Sequence, residues 1–129
     1  MKLDDAKVML VEDDPVMTLY VVSMLRRMGI SQVVEARDGA TGLVMAASAK
    51  PDVILSDIHM APMDGFEFVK ALRKHPVTEL RKIPVLIMSA DSNTDKLKES
   101  VPLGIAGYII KPPNVSMLKT KIEHALKFR

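Results

Sequence analysis

"DVILSDIHMAPMDG" (residues 52–65) opens on an apolar run, Val53-Ile54-Leu55, and then stops on Ser56-Asp57. A carboxylate at the end of a buried run needs a reason, because an unpaired charge away from water is costly. The run is short, rich in β-branched residues and without polar alternation, so it predicts a strand covered on both faces. The proline and glycine that follow mark a turn.

Four more runs of the same kind flank it. They are "KVMLV" (7–11), "QVVEA" (32–36), "PVLIMS" (84–89) and "GYIIK" (107–111), with "DVILS" (52–56) as the third of five. All five read as strands buried on both faces. Stretches of helical spacing separate them. In 15–28, Met17, Val21, Met24 and Met28 share one face, and Leu118, Ile122 and Ala125/Leu126 do so in 114–127. Asp14-Pro15 offers a capping acid followed by proline at the first helical position, and Gly29 is placed to end that helix. Asn114 is a plausible cap for the last helix. Strict alternation of this kind predicts an α/β fold, a parallel sheet with helices on both sides, with residues 1–129 as one domain.

Composition narrows the function. With 129 residues, 48% apolar and 26% charged, the chain is globular rather than disordered and long enough for one core. It has no cysteine, which excludes disulfides, thiolate zinc sites and cysteine nucleophiles. No run approaches the ~18 apolar residues of a membrane span. The acids in "MKLDDAKVML" argue against a secretory leader, so a cytoplasmic home fits. A net charge of +2 does not argue for nucleic acid. The ten methionines stand mostly at apolar positions, where a flexible thioether fills gaps. Lys96, Lys98, Lys119, Lys121 and Lys127 are spaced as a solvated helix face. His75 and His124 sit near helix ends, and nothing suggests ligation by either.

The polar residues at the strand ends carry the chemistry. The first strand runs into Glu12-Asp13-Asp14, the third into Asp57, the fourth into Ser89 and the fifth into Lys111. An open parallel sheet delivers all these ends to one edge, where ligands bind at the switch in strand order. In the flavodoxin-like order 2-1-3-4-5, assumed at this point, the first and third strands are neighbours there, and the second, ending in the turn-like "ARDG", lies outermost. Glu12, Asp13 and Asp57 would then crowd together. Two such charges about 4 Å apart repel by roughly 4 kcal/mol at an effective dielectric near 20. The site must raise a pKa or hold a cation, and two or three carboxylates with a carbonyl and water suit Mg²⁺. A carboxylate nucleophile, a divalent metal, an ammonium and a hydroxyl are the parts that phosphoryl transfer needs. The plainer reading is that the acids cap the first helix and Lys111 neutralises them.

The whole chain resembles the response-regulator receiver domains of two-component signalling, of the chemotaxis single-domain type. The resemblance rests on "MLVEDDP", "PDVILSDIHMAPMDG", "PVLIMSA" and "GYIIKP" in this order. It implies the (βα)5 flavodoxin-like sandwich with order 2-1-3-4-5, for which a chemotaxis member is a known example. It also implies that Asp57 is phosphorylated and that Mg²⁺ is held by Glu12 mainly through water, by Asp13 and Asp57 directly, and by the His59 carbonyl. Ser89 and Lys111 are implied to bind the phosphoryl oxygens, and Tyr108 to be the switching aromatic of the fifth strand. The Lys111–Pro112 bond is expected to be cis, a form accessible to proline. The implied donor is a sensor histidine kinase or histidine phosphotransfer protein. The implied output is a protein partner at the face of the fourth helix, fifth strand and last helix, with no direct nucleic-acid binding and no membrane insertion. His59 and Asp91, each two residues past a site position, could overhang the phosphoryl group and tune its hydrolysis.

Three places depart from the family pattern. Ala61 stands where proline is usual, with Pro62 after it; Pro113 follows Lys111-Pro112; and Pro102 interrupts the fourth helical stretch. The alternatives are an aspartyl phosphatase of the haloacid-dehalogenase type, which needs a second acid where this chain has His59, and a docking module that needs none of the acids.

Overall fold

The structure of the chain, a computed structural model, describes residues 1–90 and 103–127. Its strands form where the apolar runs lie: β1 (Lys7–Val11), β2 (Gln32–Ala36), β3 (Val53–Asp57), β4 (Val85–Ser89) and β5 (Gly107–Ile110). They make one parallel sheet in the order β2-β1-β3-β4-β5, the flavodoxin-like arrangement.

Local chemistry sets the helix ends. In α1 (Pro15–Arg27) the Asp14 carboxylate accepts the Val16 N–H at 2.9 Å, satisfying a donor the helix cannot use itself. Gly29 follows at φ 97°, a left-handed turn that suits glycine. Asp38, in the stretch that resembled a simple turn, caps α2 (Gly39–Ala49) through the Thr41 N–H. Asp64 and Glu67 form a reciprocal capping box on α3 (Gly65–Arg73). A single turn, α4 (Thr78–Arg81), follows the His75-Pro76 break. Asn114 caps α5 (Val115–Lys127) by accepting the Met117 N–H at 2.8 Å.

The core has two halves. Val21, Met24 and Leu25 of α1 and Leu118, Ile122 and Leu126 of α5 pack against Val8, Leu10, Leu55 and Leu86 on one face. Ala46 of α2 and Phe68, Val69 and Leu72 of α3 pack against Met9, Val11, Ile54 and Ile87 on the other. Met9, Met24 and Met88 are core residues, the filler role their spacing suggested.

Burial on both faces holds for β1, β3 and β4 but not for the outer strands. Gln32 and Glu35 of β2 and Ile110 of β5 are exposed, because an edge strand has a neighbour on one side only and less cover above and below. Both Lys111–Pro112 and Ala61–Pro62 are cis. The stretch between β4 and β5 that the sequence predicts as the fourth helix, with Asp91, Lys96, Lys98 and Pro102, lies outside the described residues.

Candidate functional site

The carboxyl ends of β1, β3, β4 and β5 meet at one edge. Val11 is in register with Ser56, Asp57 with Met88, and Ser89 with Ile110, so the residues just past each strand converge. Glu12 and Asp57 are almost wholly buried there, at 3% and 4% exposure, and Ser89 is fully buried. Asp13 points to solvent. Carboxylate oxygens of Glu12, Asp13 and Asp57 all lie within 4.8 Å of one another.

Lys111 reaches into this cluster. Its Nζ is 2.9 Å from Glu12 Oε2 and 2.9 Å from Asp57 Oδ1. Its own N–H donates to the Ser89 carbonyl at 2.8 Å, which keeps the lysine in strand register as the chain leaves β5. The Asp14 N–H donates to the other Glu12 oxygen at 3.2 Å.

These contacts set the protonation balance. Burial alone pushes the Lys111 ammonium down. The hydrogen bonds to Asp57 and Glu12 and their charges outweigh that, and its pKa lies above the ordinary lysine value. Glu12 is raised above the ordinary glutamate range by burial first; the Lys111 hydrogen bond opposes this, and the nearby Asp57 charge adds to it. The cluster still has more negative charge than one ammonium cancels. Three hard oxygen donors this close suit a divalent cation of the Mg²⁺ type.

Two open hollows border the cluster. One, of about 410 Å³, lies between α1 and the end of β2 and is lined by Glu12, Asp13, Leu19 and Arg37. The other, of about 450 Å³, is lined by Asp13, Ile58, His59, Met60 and Asp64, with the His59 side chain exposed at its rim. Tyr108 is half-buried on β5 opposite Ile87 and packs on the α2–α3 side of the core.

Sequence reasoning overlooked Gly65. Its N–H donates to the Ile58 carbonyl at 2.8 Å, and a β-carbon there would overlap the Asp57 carbonyl oxygen and come within 2.9 Å of Ile58 Cα. Only glycine lets α3 begin this close behind Asp57. The available signal was a glycine directly after a capping aspartate, a position glycine seldom needs. Tyr20 was overlooked too; its hydroxyl donates to the Pro113 carbonyl at 3.2 Å across 93 positions of sequence, and no pattern in the residues announces that contact.

A family model described as the response regulator receiver domain matches residues 8–123. Chemotaxis protein CheY of Pseudomonas aeruginosa is 33% identical over 117 residues, covering 91% of this chain and 93% of that protein. The crystal structure of chemotaxis protein CheY4 from Vibrio cholerae superposes with a TM-score of 0.86 at 34% identity, over 94% of this chain and 98% of that one. The signal receiver domain of a signal transduction histidine kinase from Syntrophus aciditrophicus superposes at 0.82 with 27% identity, over 95% and 90% of the two chains.

Proposed function

The chain belongs to the response regulator receiver domain family, and from that premise we propose that Asp57 takes a phosphoryl group from a phosphohistidine. The donor is a sensor histidine kinase or a histidine phosphotransfer protein. An Asp57 oxygen bonds to phosphorus as the phosphorus–nitrogen bond breaks, and the imidazole nitrogen leaves with the electron pair. The observation that carries this reading is the Lys111 ammonium 2.9 Å from both Asp57 and Glu12, beside three clustered carboxylates.

Each side chain has a part in this account. Lys111 moves from the carboxylates to a phosphoryl oxygen, and the Ser89 hydroxyl donates to another. Glu12, Asp13, Asp57 and the His59 carbonyl would hold Mg²⁺, whose charge offsets that of the phosphoryl oxygens. The donor set fits, since carboxylate oxygens already lie within 4.8 Å of one another. His59 and Asp91 govern the access of water to the acyl phosphate.

The product gains about two negative charges. Ser89 is drawn toward them, Tyr108 follows, and the surface of the segment before β5, of β5 itself and of α5 changes for a protein partner. Residues 1–129 act as one receiver domain whose only chemistry is on its own carboxylate, in the cytoplasm and without binding nucleic acid. Among the described residues no helix is long and apolar enough to cross a membrane. Acetyl phosphate with Mg²⁺ is expected to add one phosphoryl mass to the protein and none to Asp57→Asn. Equal labelling of the variant would remove Asp57 from this role.

A further inference from the structure

Lys111 is followed by Pro112 and Pro113, and neither has an N–H to give. The loop between β5 and α5 thus has two consecutive residues that cannot donate a backbone hydrogen bond. Its ends are fixed. Lys111 N–H holds the Ser89 carbonyl at 2.8 Å, and Asn114 caps α5. Between those points a donor comes from another element, the Tyr20 hydroxyl, 3.2 Å from the Pro113 carbonyl.

The origin of that donor matters. Tyr20 belongs to α1, which begins directly after the acidic residues at Asp14-Pro15. One side of the site, Glu12 and Asp13, is therefore built at the head of the helix that also holds the loop of the other side. Tyr20 is 46% exposed while Pro113 is buried, so the hydroxyl spans from the surface of α1 to the inside of the loop. A merely packed aromatic would use its ring alone.

We propose that Tyr20 is a positioning residue: its bond to the Pro113 carbonyl sets where the Lys111 ammonium stands between Glu12 and Asp57, and so how readily Asp57 is phosphorylated. The role in phosphorylation rests on the function proposed above; the placement of Lys111 does not. Tyr20→Phe keeps the ring and removes only the hydroxyl. A neutral hydrogen bond of ordinary strength corresponds to a slowing of about two- to tenfold.

Two measurements test this. In protein carrying ¹³Cε-lysine, the Lys111 resonance is expected to shift in Tyr20→Phe while the lysines of α5 stay in place; an unmoved Lys111 signal overturns the proposal. Labelling by acetyl phosphate with Mg²⁺ is then timed in the wild type, Tyr20→Phe, Lys111→Ala and the double variant. The expected result is a two- to tenfold loss from Tyr20→Phe that disappears when Lys111 is already alanine. The same fractional loss in both backgrounds, or none in either, contradicts action through Lys111. If the wild type takes no phosphoryl group, the functional reading fails, and the resonance still decides the placement.

Discussion

Lys111, just past the carboxyl end of β5, directs its ammonium at two carboxylates, whereas Arg73, at the opposite end of the sheet, directs its guanidinium at backbone. Arg73 Nε donates to the Leu103 carbonyl at 3.0 Å, Nη1 to Arg81 and Ile83 at 3.0 and 2.8 Å, and Nη2 to Gly104 at 3.4 Å. Both cations are half-buried. Burial lowers the Arg73 pKa, while the carboxylates hold Lys111 above its ordinary value. Arg73 satisfies four backbone carbonyls, two of them partly buried, and it ties the segments leading into β4 and β5 to the end of α3. Lys111 faces two carboxylates, which in the proposed function a metal would neutralise while the ammonium turns to a phosphoryl oxygen. A basic side chain is a fastener of backbone at one edge and a partner of carboxylates at the other.

Substitution separates the two roles. Lys111→Ala is expected to slow labelling by acetyl phosphate by about a hundredfold, the usual loss when one preorganised donor is removed. Arg73→Ala is expected to lower unfolding stability in urea by about 2–4 kcal/mol, since it strands partly buried carbonyls. Its labelling rate below the unfolding transition should match the wild type. A slow but stable Arg73→Ala would erase the contrast.

Gly65→Ala probes the carboxyl edge from behind. The added methyl group must displace backbone beside Asp57, at a cost of about 1–3 kcal/mol. Labelling should slow together with the loss of stability, and amide resonances of Asp57 and Ile58 should move. Unchanged stability would show that the start of α3 is looser than the packing implies.

The smallest expected effect is on pH dependence. Because the Lys111 pKa is raised in the folded state, its contribution is complete below the ordinary value of 10.5 and fades as pH rises through the folded-state value. The difference in urea stability between the wild type and Lys111→Met should therefore be constant from neutrality up to 10.5 and shrink above it. A difference that shrinks on acidification from neutrality would place the linkage in Glu12 instead.

Much of the carboxyl edge was legible because it breaks a rule. An apolar run that ends in Asp57, Ser89 or Lys111 places a polar group where the neighbouring pattern asks for none, and parallel topology gathers such exceptions. Arg73 breaks no rule in sequence. A basic residue in the last turn of a helix looks solvated, and its carbonyl partners carry no side-chain signature. Tyr20 is hidden for the same reason: it bonds to a main-chain oxygen from a position that reads as helix surface. The outer strands misled because Val33 and Val34 look like the core of β1 and β3, and only the strand order shows them to be at an edge. Side-chain anomalies survive in a sequence, while contacts to backbone are created by the fold.

The central claim is that Asp57, among three clustered acids, is the one that accepts phosphorus. Acetyl phosphate and Mg²⁺ followed by borohydride, which reduces an acyl phosphate but not a free carboxylate, would mark the acceptor for peptide mass analysis. The account predicts a mark on Asp57 alone, lost when Mg²⁺ is removed by chelation. A mark on Glu12 or Asp13, or none on any acid with Mg²⁺ present, would contradict it.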